Sequence, residues 1–170
     1  MRRTVLFTAL AAILAAGCDQ GQKTAKVSQV AVKKYAQATT LEGAVSNDKA
    51  VIKTGTVTAT DESGRLIADA AVDSGHYRVE IPADTVLPIL LTFSSGPDSE
   101  KLVAAVVHDS ITQYDINPLT TAIAAAAKAM GGYTHANMTR AAADTVHTPD
   151  ANKTTTGWRG DPTTQYGGWH

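Results

Sequence analysis

The sequence predicts a mainly β chain: a small antiparallel β-sandwich with a docked C-terminal helix and a flexible tail. Three observations predict it. Between Val51 and Val107, β-branched or alternating runs are separated by Gly, Asp, Ser and Pro at roughly 8 to 12 residues, the spacing of sandwich strands. No helix-length segment lies between those runs, which disfavours a parallel α/β sheet. Beyond them the pattern switches at Asn117-Pro118 to an alanine-rich helix, with an N-cap residue and a proline where a first turn accepts them.

In chain order, Met1-Arg2-Arg3 is a basic start, Val5 to Leu14 is almost uninterruptedly apolar, and Leu14-Ala15-Ala16-Gly17 places small residues before Cys18. The apolar run is short of the roughly 20 residues that span a bilayer, so it reads as an export signal over residues 1–17. LAAGC resembles the lipobox of bacterial lipoproteins. That resemblance implies lipidation of Cys18 by a diacylglycerol thioether, cleavage before it and acylation of the new amino terminus. The implied location is the cell envelope, lipid-anchored to a membrane and facing the periplasm. Asp19 is similar to the residue that retains enterobacterial lipoproteins in the inner membrane, which favours that membrane over the outer one. The alternatives are an ordinary secretion signal followed by an incidental cysteine, or a buried apolar helix.

Without residues 1–17 the chain keeps 153 residues, and losing Arg2 and Arg3 leaves 13 basic against 16 acidic side chains, a net charge of −3. This weakly acidic balance offers nothing for a phosphate backbone, so no nucleic-acid partner is expected. Cys18 is the lone cysteine, so no internal disulfide can form, and stability must come from a packed core. Aromatics are scarce, which makes Val, Ile, Leu and Ala the expected core builders.

Residues 18–42 are expected to form a lipidated tether followed by a helix from Thr24 to Thr40, because Val27, Val30, Ala31, Ala38 and Leu41 recur at three or four residues. Lys34 interrupts that stripe. The β-sandwich with its closing helix is assigned to residues 43–132. Val51 to Thr60 is rich in β-branched residues and ends in the turn Asp61-Glu62-Ser63-Gly64. Leu66, Ala68, Ala70 and Val72 share one face of the next run, and Asp73-Ser74-Gly75 turns the chain again. Tyr77, Val79 and Ile81 then alternate with His76, Arg78 and Glu80, so the first three should face the core. Leu87, Ile89, Leu91 and Phe93 share a side of the strand that follows; Pro88 cannot donate to a ladder, which predicts an edge strand or a bulge there. Leu102 to Val107 is the last strand.

The stretch GTVTATDESGRLIADAAVDSGHYRVEIP resembles the carboxypeptidase regulatory-like, or transthyretin-like, β-sandwich domain. The matching residues are Gly55 and Val57, Asp61 and Gly64, Ala70 and Val72, then Gly75, Tyr77 and Val79. The segment between Val72 and Gly75 is shorter than the family's. DINPLTTAIA is similar to the segment that follows such domains in many bacterial lipoproteins. The resemblance implies a noncatalytic scaffold or assembly module.

Leu119, Ile123 and Met130 should pack the helix after Asn117 onto the sandwich, with Gly131-Gly132 ending it. Residues 133–170 are expected to add a short helix over 137–146, through Met138, Ala141, Ala142 and Thr145, before a largely disordered tail. Trp158, Tyr166 and Trp169 in that tail are candidates for partner binding, since isolated aromatics can anchor on another surface.

The sequence carries no HExxH, GxSxG, P-loop or dinucleotide fingerprint. His76, His108, His135, His147 and His170 are dispersed, and Asp73 near His76, or His108 beside Asp109, lacks a nucleophile. No catalytic residue, metal site or cofactor is assigned. The expected role is a noncatalytic, lipid-anchored periplasmic accessory or assembly protein of a membrane complex, held to the membrane by its N-terminal lipid and bound to a protein partner. The alternative is a solute- or metal-binding periplasmic domain or, less favoured, an envelope enzyme.

Overall fold

The computed structural model describes residues 32–146. Strands β1 (Thr39–Ala44), β2 (Thr54–Thr60), β3 (Leu66–Asp73), β4 (His76–Ile81), β5 (Ile89–Ser94) and β6 (Leu102–Val106) are followed by helices α1 (Pro118–Ala129) and α2 (His135–Val146). The strands form one curled antiparallel sheet in the order β1-β4-β3-β2-β5-β6. The mainly β fold with a docked C-terminal helix is therefore as the sequence predicts, and the sandwich takes the form of a single sheet rolled into a half-barrel. No helix among the described residues is long and apolar enough to cross a membrane.

Alternation places the core. Tyr77, Val79 and Ile81 on β4, Val57 and Ala59 on β2, and Ile89, Leu91 and Phe93 on β5 are all buried in one cluster, while His76, Arg78 and Glu80 are exposed. β6 departs from alternation, since Ala104, Ala105 and Val106 are all fully buried. A strand buried on both faces reads as a continuous apolar run, and α1 packs beside it.

Helix α1 starts as its sequence dictates. The Asn117 side chain accepts from the Thr120 N–H (2.9 Å) and the Thr120 hydroxyl accepts from the Asn117 N–H (3.0 Å), a reciprocal cap with Pro118 just inside it. Ile123, Ala124 and Ala127 are its buried face, joined by Met138, Ala141 and Ala142 of α2. Met130, expected against the sandwich, is instead the C-cap and lies 40% exposed, one step past the last turn that faces the core.

Three further expectations are corrected. Within the helix expected over Thr24 to Thr40, residues 32–38 form no helix, and Thr39 already begins β1. The reason is pairing: Tyr35 N–H donates to the Thr85 carbonyl (3.0 Å) and Asp84 N–H to the Tyr35 carbonyl (2.8 Å), so tertiary partners take the groups a helix would use. Tyr35 is 2% exposed, whereas Val32 is 69% exposed. The sheet consequently begins before residue 43; the part of the tether that precedes residue 32 lies outside the described residues. Second, β5 is an interior strand between β2 and β6, and Pro88 causes neither an edge nor a bulge because it stands just before Ile89, where the ladder starts. Third, Leu66 is 59% exposed instead of sharing the buried face of Val72, because the β2-β3 register shifts at Ala59/Thr60.

Both outer edges of the sheet are covered, and by one segment. Residues 112–116 run parallel to β1: Glu42 N–H donates to the Thr112 carbonyl (2.9 Å), Tyr114 N–H to Glu42 (2.8 Å), Ile116 N–H to Ala44 (2.9 Å) and Ser46 N–H to Ile116 (3.1 Å). Gly43 is required here, since any Cβ would collide with the Tyr114 carbonyl oxygen. That same carbonyl accepts the buried Tyr77 hydroxyl at 2.5 Å. Four residues later the chain covers the opposite edge, where Thr120 Oγ1 donates to the Val103 carbonyl (2.9 Å) and Val103 N–H donates to Thr121 Oγ1 (2.8 Å). The sequence INPLTT is thus a strap across the open side of the half-barrel, with Ile116 at one edge and Thr120 and Thr121 at the other.

Candidate binding cleft

Strands β3 and β4 form a hairpin. Ser74 and Gly75 both have positive φ (53° and 88°), giving a tight two-residue turn that glycine makes accessible. Asp73 and His76 register beside the turn, and the two strands stay neighbours in the sheet. A cleft of about 560 Å³ opens between Arg65, Leu66 and Ile67 on one side and the Pro82 to Pro88 loop on the other.

Each wall is locked by its own charges. On the β3 side, Asp61 Oδ1 accepts the backbone N–H groups of Ser63 (3.0 Å) and Arg65 (2.9 Å), while Oδ2 accepts Arg65 Nε (3.0 Å). The Ser63 hydroxyl above all, then the Arg65 N–H, hold the Asp61 carboxyl below the usual carboxylate range. On the facing wall, Asp84 adopts a left-handed backbone (φ 61°) and pairs with Lys34, whose ammonium depresses its pKa by hydrogen bond and charge. Segment 33–35 braces this wall: Leu87 N–H donates to the Lys33 carbonyl (2.9 Å), and the Tyr35 hydroxyl reaches the His108 carbonyl (3.2 Å). Burial, with Asp109 adding to it, pushes the Tyr35 phenol up to about 12.

Between these walls stand two large apolar side chains in water, Leu66 and Val86, 59% and 49% exposed. Apolar area left exposed beside fixed charges is the composition of a contact surface: a dry patch with a polar rim. The Ser63 hydroxyl that lines the cleft donates to Asp61 Oδ1 (2.5 Å) within the turn that the same carboxylate holds.

A second, larger groove of about 1020 Å³ lies toward the hairpin turn, lined by Glu42, Asp73, His76, Arg78 and Asp115 among others. Arg78 bridges to Glu42 there at 2.7 Å, and Asp115 Oδ1 accepts the Ala44 N–H (2.9 Å), so these charges serve the sheet. Asp73 and His76, which the sequence offers as an acid/base pair, are the exposed partners that flank the turn. His108 does not work with Asp109 alone: its ring meets that of His135 edge-on, centroids 4.6 Å apart, which ties the loop after β6 to the start of α2. No group of three or more metal-ligating side chains occurs among the described residues.

The candidate residues Cys18, Trp158, Tyr166 and Trp169 lie outside the described residues, as do His147 and His170. Periodicity does not single out Leu66 and Val86, because each occupies a position that alternation assigns to a strand face. A signal exists nonetheless: Leu66 follows directly on a charged turn, and Val86 and Leu87 precede the proline that delays β5. No family model matches the chain, and neither a curated protein nor a solved structure matches it.

Proposed function

We propose that this chain is a lipid-anchored, noncatalytic accessory or assembly protein of the cell envelope, acylated at Cys18, facing the periplasm and holding a protein partner against its β domain. The observation that carries the docking role is the pair of exposed apolar side chains, Leu66 and Val86, lining one cleft in a domain whose other large apolar residues are mostly buried. The anchoring role rests on the lipobox resemblance of LAAGC, and the assembly role is in keeping with the resemblance of residues 55–82 to regulatory-like sandwich domains. Asp19 favours the inner membrane.

Chain length links the anchor to the cleft. Residues 33–35 brace the cleft wall, and Val32 follows Cys18 by 14 positions (32 minus 18). Fully extended, that length reaches at most about 50 Å. A lipid on Cys18 would therefore keep the cleft close to the membrane and to whatever is embedded in it. Trp158, Tyr166 and Trp169 would add a second hold on the same partner.

Intact-mass analysis of membrane-extracted protein tests the anchor: an acylated Cys18 supports it, and an unmodified Cys18 in the mature chain contradicts it. A photocrosslinking residue at position 66, compared with one at exposed Glu80, tests the docking face. Capture of an envelope protein from position 66 alone is expected. Capture of the same protein at both positions, or at 80 alone, would place the interface elsewhere.

A further inference from the structure

We infer that the cleft binds a partner segment in which a bulky apolar side chain stands next to a lysine or arginine: the apolar group enters between Leu66 and Val86, and the cation meets Glu62. The inference rests on the docking role proposed for Leu66 and Val86 and names the chemistry of what they hold. Three carboxylates line this cleft, Asp61, Glu62 and Asp84, and two of them are already answered, Asp61 by Arg65 and Asp84 by Lys34. Glu62 is exposed and enters no ion pair among the described residues. Its carboxylate lies beside the turn between α1 and α2, where a Cβ on Gly132 would stand 3.9 Å from Glu62 Oε1. Its charge is felt there, since burial first and Glu62 second push the Tyr133 phenol up. An apolar cleft with one unanswered negative charge is complementary to an apolar residue that has a basic neighbour.

The same charge balance selects the occupant. Anionic lipid surfaces attract basic faces, whereas the unmatched charge here is negative, so the bilayer itself is a poor fit. A small free cation would engage Glu62 alone and leave Leu66 and Val86 in water. A polypeptide supplies both groups from residues close in sequence. Covering two large aliphatic side chains gives it the binding energy that an exposed ion pair lacks, and the pair adds discrimination against acidic segments. Leu66 and Val86 thus provide affinity, and Glu62 provides selection.

The test is selection of a phage-displayed random nonapeptide library on the full chain carrying Cys18→Ser, followed by titration and amide chemical-shift mapping with one enriched peptide. Sequences with Leu, Ile, Phe or Trp within two positions of Lys or Arg are expected, with shifts centred on residues 62–67 and 84–87. Leu66→Asp and Glu62→Lys should each raise Kd about tenfold. A peptide whose basic residue is changed to Glu should regain binding to the Glu62→Lys chain, a rescue that a merely structural role of Glu62 would not give. Glu80→Lys, on the exposed face of β4, should leave Kd unchanged. No enrichment above a bare surface would overturn the inference, as would enriched sequences without a basic residue, shifts confined to the Glu42, His76 and Arg78 groove, or an affinity indifferent to Glu62→Lys. Sedimentation with phosphatidylglycerol vesicles that Leu66→Asp abolishes would assign the cleft to lipid instead, and self-association abolished by the same change would assign it to a second copy. A peptide affinity raised by Trp158→Ala, whose neighbour is Arg159, would assign it to the chain's own tail. Capture of a partner from position 66 that persists in the Glu62→Lys chain would leave the docking face standing and remove the charge recognition; peptide binding at Glu62 and Leu66 with no capture in membranes would do the reverse.

Discussion

The outer edges of the sheet and the cleft at the start of β3 differ in how far their exposed groups are covered. At β1 and β6 every part of the strap contributes: backbone bonds from Thr112 to Ile116 on one side, hydroxyls of Thr120 and Thr121 on the other, with Tyr114 and Ile116 fully buried between. At the start of β3, beside the Pro82 to Pro88 loop, a cleft keeps Leu66 and Val86 in water. Outer edges are where sheets aggregate, and here they are closed by specific bonds. The contrast teaches that the cleft does not follow from any general looseness of the fold. It is a local feature beside a sheet whose outer edges are closed, which is why the docking role is proposed there.

The largest way to break this comparison is to remove the core that both regions share. Val79→Asp places a charge in the fully buried face of β4 and should cost more than about 4 kcal/mol, leaving little folded protein. Its exposed neighbour gives the control, since Arg78→Ser loses a surface ion pair worth about 0–1 kcal/mol. Thermal melts separate the two; equal melting points would mean that the β4 register is wrong.

The strap comes next. Ile116→Ala empties a fully buried site at the β1 edge and should cost about 2–5 kcal/mol in urea unfolding. Thr120→Val keeps the shape but leaves the Asn117 N–H and the Val103 carbonyl without its hydroxyl, about 1–3 kcal/mol. Were the strap merely a connection, both losses would fall within the roughly ±0.5 kcal/mol of ordinary surface changes.

These two regions are unequally legible in the sequence. β4, β5 and α1 are readable because their signals are local: alternation from His76 to Ile81, an apolar run after Pro88, and Asn117-Pro118 ahead of alanines. The strap's caps are readable too, but its hydrogen bonds to β1 and β6 are not, since nothing in INPLTT states which strands stand opposite. β1 escapes a reading by periodicity because Thr39 to Ala44 carries a single large apolar residue, Leu41, which falls in step with the helical spacing of Val27, Val30 and Ala31. The pairing partner that decides the matter, β4, lies far along the chain. The cleft is least legible of all: it is set by the Pro82 to Pro88 loop standing opposite Leu66, and such a placement leaves no period in a sequence.

A smaller effect probes the cleft wall. Tyr35 titrates near about 12 when folded and near 10 when unfolded, so the folded state holds its proton longer. Stability from this group is complete below pH 10 and falls as the unfolded phenol ionises, by about 1.4 kcal/mol per pH unit until the folded value is reached. The stability difference between the native chain and Tyr35→Phe should therefore change steadily between about pH 10 and 12 and stay flat from about pH 7 to 9. A difference that is flat throughout would mean that the phenol is not held as described.

Native-state hydrogen exchange compares the two regions in one experiment. The amides of Val103, Tyr114 and Ile116, bonded at the outer edges, should exchange only through opening as costly as that of the core. In the cleft wall, the amides of Asp84 and Leu87, bonded to the 33–35 segment, should exchange through cheaper local opening. Protection of Asp84 and Leu87 equal to that of the strap would contradict the contrast between closed edges and an exposed cleft.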